Sequence, residues 1–273
     1  MTHVWLNDDV KPFAAMPNED DFDVRAGCIG TIPRGRAQTA CAEATITRGA
    51  TYLKSHLREI PADSAVVLDY LHRRWDVPEL GGAVRQSRSR SPEGPTALVS
   101  RLHASGAVPS SAVVAAAPQG SERFMGQVLA CTERPLGSAA VRSFDVALGR
   151  GGAQATHALW ALKWGGELGC SLPNGVSIRK AVDQVASELR AEPLTDDLGL
   201  QQATYLTLLG HGDRVPAGYL AKVIAAQEDD GSWQGEAPGR PPVQGAWHPT
   251  ALATWLLLMN SHPDTPDPGT LPR

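Results

Sequence analysis

The stretch QEDDGSW at residues 227–233, followed by WHPTALATWLLL at residues 247–258, indicates how the chain folds. The first piece ends a helix in a glutamine and an Asp-Gly turn, where glycine takes a positive φ at little cost. The second piece is apolar on every side, which a helix tolerates only when it is buried all round. A partly exposed helix therefore leads into a fully buried one, and this predicts an outer and an inner layer of helices.

The rest of the chain repeats this arrangement, because it reads as helices joined by short loops, with few runs of period two. Val-Pro pairs at 77–78, 108–109 and 215–216 follow similar apolar segments, and proline suits the first turn of a helix. We therefore predict an all-α fold of six helical hairpins. The paired outer and inner helices are 45–58 with 63–75, 78–88 with 95–105, 109–117 with 122–134, 137–147 with 153–165, 175–190 with 196–210, and 216–228 with 248–260.

The domain organisation follows from these hairpins. An open solenoid could be built from the same units, but six pairs favour closure into a ring, an (α/α)6 toroid, over residues 37–273. Residues 1–36 carry acidic clusters, several prolines and little periodicity, which predicts an irregular N-terminal arm.

Composition narrows the class of protein. The chain has 273 residues, of which 42% are apolar, and a net charge of -4 that gives no reason to expect nucleic acid. It shows neither a signal-peptide pattern nor a run of about 18 apolar residues, so we expect a cytoplasmic protein. The four cysteines have no CxxC spacing, and we expect them to be reduced, packed thiols.

Two segments resemble the repeat motif of the terpenoid cyclase and protein prenyltransferase toroid family. That motif runs Lys/Arg, Gly/Ala, two residues, an aromatic, an aliphatic, three residues, Gln, three residues, Gly, one residue and Trp. RGATYL at 48–53 matches its first half and QEDDGSW at 227–233 its second, while Leu57 and Lys222 stand where the glutamine and the aromatic belong. The resemblance implies a toroid in which the glutamine ties a helix end to its neighbour and the tryptophan stacks between repeats.

The resemblance also implies where the chemistry takes place. In such a ring the inner helices are parallel, and their N-termini form a rim whose free N–H groups and partial positive charge attract anions. LTDDLG at 194–199 is similar to the Asp-x-Asp-Asp motif of class II terpene cyclases, although Leu194 replaces its first aspartate. The family's middle aspartate protonates an alkene or epoxide, which implies Asp196 as the acid and Asp197 as its neighbour. Helix capping is the alternative role, since aspartate is favoured in any first turn.

Further candidates for substrate binding share this rim or the predicted cavity. Aromatic faces suit a passing cation, and a guanidinium group suits a diphosphate or carboxylate. If the substrate is a diphosphate, we expect Mg²⁺ as a cofactor. The residues are His157, Trp160, Tyr205, Arg240, Trp247 and His248.

Two histidines support a different hypothesis. His248 falls near the zinc-binding histidine of protein prenyltransferases, but no Asp-x-Cys pair stands at another inner-helix start. A metal held by His157, His248 and Asp197 is one alternative, and hydrogen-bonded wall residues are the other. The metal requirement stays open at this point.

Together these features predict an isoprenoid-processing enzyme resembling a class II terpene cyclase. Proton transfer would start the cyclisation or isomerisation of a prenyl substrate, a hydrophobic small molecule whose delivery implies transient membrane contact. One alternative is a metal-dependent, prenyltransferase-like or other enzyme that uses His157 and His248. The other is a non-catalytic toroid that binds a peptide or lipid. The sequence leaves the oligomeric state open.

Overall fold

The computed structural model describes residues 36–60, 65–81, 110–235 and 245–271, with side chains from residues 41 and 66 onward in the first two segments. These segments form ten α-helices and two 3-10 helices, and they contain no strand, so this part of the chain is all-α as predicted. The helices are α1 (Arg36–Ser55), α2 (Ala65–Trp75), α3 (Ser111–Ala116), α4 (Ser121–Leu129), α5 (Ser138–Arg150), α6 (Gly152–Glu167), α7 (Ile178–Ala191), α8 (Asp197–Leu208), α9 (Tyr219–Ala225) and α10 (Trp247–Ser261), with 3-10 helices at Pro78–Leu80 and Gly212–Arg214.

The predicted helices agree with the observed ones in order, and they differ mainly at their ends. α1 begins at Arg36 rather than at residue 45, and α4 ends at Leu129 rather than at residue 134. The residues after α4 form turns that lead to Pro135, which disfavours helix in the residue before it. The predicted helix 78–88 is only a 3-10 turn in its described part. The predicted helix 95–105 and the N-terminal arm up to residue 35 lie outside the described residues.

Burial separates the helices into two layers. Every residue from 249 to 259 of α10 is buried, and so is every residue from 199 to 206 of α8. α7 instead buries a single stripe that includes Val182, Val185 and Leu189 and exposes its other face. This difference is the one that the uniform apolar pattern of α10 and the amphipathic pattern of α7 predict.

The described inner helices pack as a connected series. α2 packs on α10, α10 on α8, α8 on α6, and α6 on α4. The outer helices cover the series, since α5 packs on α4 and α6, and α7 packs on α6 and α8. α1, the first described helix, also packs extensively on α10, the last.

Aromatic side chains fill the space between the inner helices. The Trp160 ring of α6 lies 5.0 Å from Tyr205 of α8 and 6.4 Å from Trp255 of α10, measured between ring centroids. Tyr70 of α2 lies 5.0 Å from Trp255, and Trp164 lies 4.7 Å from Trp160. We call these five residues the aromatic cluster. Because each contributes a large buried apolar area, the cluster stabilises the inner layer strongly.

The C-terminal tail, residues 262–271, covers the C-terminal ends of α2 and α6. Asp267 accepts a hydrogen bond from the Tyr70 hydroxyl of α2 at 3.2 Å and from Lys163 Nζ of α6 at 2.7 Å. Glu167 of α6 accepts from the backbone N–H groups of Thr270 at 2.9 Å and Leu271 at 3.0 Å. The tail therefore bridges two inner helices at the end opposite to their N-termini.

The cysteines correct one prediction. Cys131, just after α4, forms a disulfide with Cys170, in the loop after α6, with 5.8 Å between their Cα atoms. Cys41 of α1 is disulfide-bonded as well. The expectation of reduced thiols is wrong at these positions, because the packing of α4 on α6 brings together cysteines that lie 39 residues apart in sequence.

No described helix meets the requirements of a membrane span. α1 has 20 residues but a polar face, and the apolar α10 has only 15 residues.

Candidate active site

The N-termini of α8 and α10 bring an aspartate and a histidine into contact. Asp197 is the first residue of α8 and His248 the second of α10, and the Nδ1 atom of His248 hydrogen-bonds the Oδ1 atom of Asp197. The two side chains are 11% and 21% exposed, so the pair is largely enclosed yet reachable. Since a carboxylate only accepts hydrogen bonds, the proton of this contact belongs to Nδ1.

A second histidine lies beside this pair. His157 Nε2, one turn into α6, is 3.1 Å from the amide Nε2 of Gln201. A hydrogen bond from the Gln201 side chain acts to lower the pKa of Tyr205 in the aromatic cluster. Asp197, Gln201 and Tyr205 are spaced by four residues, which puts them on one face of α8. This face runs from the histidines near the helix N-termini to the aromatic cluster.

The surroundings keep His157 neutral. Burial, and to a smaller extent the neighbouring His248, lower the pKa of His157 to about 4, while the charge of Asp197 opposes the shift. Burial also raises the pKa of Tyr205 far above its ordinary value, with a contribution from the charge of Asp197, so the phenol keeps its proton. Near pH 7 both groups can therefore act as neutral hydrogen-bonding partners.

Asp196 has a different environment from Asp197. It is the N-cap residue of α8, and its Oδ1 atom accepts a hydrogen bond from the Gly199 N–H at 2.8 Å. It lies near Tyr219 of the outer helix α9, whose pKa is raised by burial and then by the charge of Asp196. The observed role of this carboxylate is thus helix capping, and its proposed role as an acid stays a prediction.

The other predicted site residues are distributed around the pair. Trp247 begins α10 and is 5% exposed, and its ring lies 5.2 Å from the His248 ring in an edge-on arrangement. Trp160 and Tyr205 belong to the aromatic cluster below, where they are almost fully buried. Arg240 lies outside the described residues.

The metal hypothesis finds no support in this geometry. Within the described segments, no group of three His, Cys, Asp or Glu side chains is arranged to hold a metal ion. His157 meets the amide of Gln201 instead, and His248 meets Asp197.

Sequence reasoning missed Gln201. The signal that could have revealed it is the spacing of Asp197, Gln201 and Tyr205, a polar stripe at i, i+4 and i+8 on a helix with a largely apolar remainder. In a helix buried on all sides, such a stripe indicates a polar path rather than a solvated face.

No protein-family model matches the chain, and searches of curated proteins and of solved structures find no significant match. The site is therefore interpreted from its own geometry.

The arrangement is suited to acid–base chemistry. Asp197 holds the Nδ1–H of His248, which fixes the orientation of the ring and leaves Nε2 to exchange a proton with a ligand. No described residue hydrogen-bonds this Nε2 atom. The N-termini of α8 and α10 add a partial positive charge, which favours negative charge on a bound molecule.

Proposed function

We propose that this chain is a closed (α/α)6 toroid of the terpenoid cyclase and prenyltransferase kind. The packing of α1, from the first predicted hairpin, on α10, from the last, supports closure. An open solenoid keeps its first and last repeats apart, because each repeat contacts only its neighbours.

The two motif halves support the same proposal, since they meet in space. The amide Nε2 of Gln227 donates to the Thr45 carbonyl of α1 at 2.9 Å. Trp233 is fully buried and lies against Gly49 of the RGATYL segment. Each segment is half of a repeat motif, and the contact joins them across the ends of the chain. These contacts are of the kind that the resemblance implies, and they support the proposal.

We further propose that the toroid is an enzyme that transfers protons on an isoprenoid-type substrate. The hydrogen bond between Asp197 and His248, at the rim above the aromatic cluster, carries this proposal. The pair adds one proton to a carbon–carbon double bond, and the cation that forms loses another proton, so that substrate and product are isomers. Compared with the family pattern, the acid role moves from Asp196, which caps α8, to Asp197 with His248.

The experiment compares asparagine variants of two adjacent residues, Asp196 and Asp197. The purified chain is incubated in D₂O, with and without Mg²⁺, with geranylgeranyl diphosphate, farnesol or squalene, and the products are analysed by mass spectrometry. We expect an isomeric product that carries deuterium. Asp197→Asn and His248→Gln should lower its formation by about 100-fold or more, the size of an acid–base contribution. Asp196→Asn should keep the activity, because asparagine caps a helix as well as aspartate does.

Other outcomes would replace this proposal. Loss of activity in Asp196→Asn with normal activity in Asp197→Asn would return the acid role to Asp196. Saturable binding of a prenyl compound without any turnover would favour the non-catalytic toroid. Turnover that needs added Zn²⁺ and is abolished by His248→Gln alone would favour a prenyltransferase-like enzyme.

A further inference from the structure

Gln201 occupies the position between the site and the aromatic cluster. It is only 3% exposed, and its side chain contacts His157 on one side and Tyr205 on the other. A buried amide needs hydrogen-bond partners, since an unsatisfied polar group destabilises the fold. The orientation of this amide therefore affects the protons of both neighbours.

The two contacts of the amide determine that orientation. The hydrogen bond of Gln201 acts to lower the pKa of Tyr205, as a donor to the phenol oxygen does, so the N–H₂ group of Gln201 faces Tyr205. The same Nε2 atom is 3.1 Å from Nε2 of His157, and its second hydrogen is free to bond that nitrogen. An N–H donor needs an unprotonated nitrogen opposite, so His157 carries its proton on Nδ1.

The two charged neighbours of His157 act on its pKa in opposite directions. His248 of α10 disfavours a second positive charge nearby, whereas Asp197 of α8 favours one. Glu188 of α7 is engaged elsewhere, with the Gly152 N–H at 3.0 Å and the Gln202 amide at 3.0 Å. A neutral donor at position 201 acts in the same sense as His248, because both disfavour a positive charge on His157.

We propose that Gln201 is a positioning residue that holds His157 in its neutral Nδ1–H tautomer, so that the exchangeable proton of the site stays on the Asp197–His248 pair. The second part of this inference, that the exchangeable proton stays on the Asp197–His248 pair, rests on the proposed function. The tautomer itself can be measured without any substrate.

The test is ¹⁵N NMR of the full chain labelled at its histidine ring nitrogens, with His157→Gln used to assign the signals. Near pH 6 we expect His157 to be neutral, with its proton on Nδ1. Gln201→Glu places a carboxylate next to Nε2, and His157 should then become protonated, with its titration midpoint raised by about 1 pH unit or more. Gln201→Leu removes the donor, and the two neutral tautomers should then mix.

Gln202→Leu is the matched control. Gln202 is the next residue, is also 3% exposed, and bonds Glu188 rather than a histidine. This variant should leave the His157 signals unchanged. Unaltered tautomer and titration of His157 in folded Gln201→Glu and Gln201→Leu would overturn the proposal, and the leucine variant decides alone where the glutamate variant does not fold.

Turnover separates this proposal from the function on which it rests. If the substrate assay succeeds, Gln201→Glu should lower turnover by about 10-fold or more and change its pH profile, whereas Gln202→Leu should do neither. If the NMR changes occur but no substrate is turned over, the positioning role holds and the proposed reaction fails. If turnover and its pH profile survive in Gln201→Glu although His157 is protonated, the neutral tautomer is not needed and the proposal fails.

Discussion

The Trp233 indole lies so close to Gly49 that a Cβ atom on Gly49 would be 3.0 Å from the Trp233 Cζ3 atom. Trp233 is fully buried, and its Nε1–H donates to the Val223 carbonyl at 2.7 Å, so the ring has little freedom to move away. The same added Cβ would also clash with the Thr254 hydroxyl of α10. The contact of α1 with Trp233 and α10 therefore favours a glycine at position 49.

Gly49→Ala should lower the free energy of unfolding by about 1–3 kcal/mol, the usual cost of overpacking a core. Helix propensity alone predicts the opposite sign, because it favours alanine over glycine by about 1 kcal/mol. Gly166→Ala in α6 is the control, because a Cβ there meets nothing within 4 Å. It should be neutral or slightly stabilising in denaturant unfolding. Equal stability of Gly49→Ala and the wild type would contradict the close contact.

Asp196 should behave as a helix cap in stability measurements. Asp196→Ala removes the acceptor of the Gly199 N–H and should cost about 1–2 kcal/mol, whereas Asp196→Asn keeps a capping oxygen and should cost less than about 0.5 kcal/mol. Thermal and urea unfolding of the two variants measure this difference. Similar losses in both would mean that the charge of Asp196, rather than its hydrogen bond, is what α8 needs.

The Cys131–Cys170 disulfide should contribute substantially to stability. In the chain-entropy model a crosslink between residues 39 positions apart restricts the unfolded chain by about 4 kcal/mol, so Cys131→Ser with Cys170→Ser should lose about that amount. Mass spectrometry after alkylation of the unreduced, denatured chain should find neither cysteine modified. Alkylation at both would show free thiols. It would also favour the predicted cytoplasmic location, since disulfides persist mainly in oxidising compartments.

Asp267 should make the stability depend on pH. Burial raises its pKa, but hydrogen bonds from Lys163 and the Gly269 N–H, with the charges of Lys163 and Arg74, outweigh burial and lower the pKa below its ordinary value. A carboxyl whose pKa falls on folding stabilises the protein above its unfolded pKa of about 3.9. That stabilisation is lost as the pH falls through the folded value.

Asp267→Asn should therefore be less stable than the wild type at pH 6, and the difference should shrink as the pH falls below the unfolded pKa of about 3.9. Unfolding curves at several pH values measure it. Asp264 is an exposed residue in the same tail, and Asp264→Asn should have the same stability as the wild type at every pH. A difference between Asp267→Asn and the wild type that stays constant with pH would show that the carboxyl does not titrate differently on folding.

Several features of the fold could be predicted from local patterns alone. The uniform apolar run of α10 and the amphipathic spacing of α7 follow from helix geometry, so the sequence distinguishes buried from half-buried helices. Helix starts are also local, because caps and first turns select particular residues. For this reason Asp196, Asp197, His157 and His248 could all be placed near the N-termini of inner helices before any coordinates were considered.

The tertiary structure alone decided which of these residues meet. Asp196 and Asp197 are adjacent and chemically identical, but they point in different directions at the start of α8. Asp196 bonds the backbone of its own helix, whereas Asp197 bonds a histidine 51 residues further along the chain. Such partners depend on how α8 packs against α10, and no local pattern encodes that packing. The same reason applies to Gln201 and to the Cys131–Cys170 bridge. Sequence determined the layers and most of the helix starts, and packing determined the contacts between the helices.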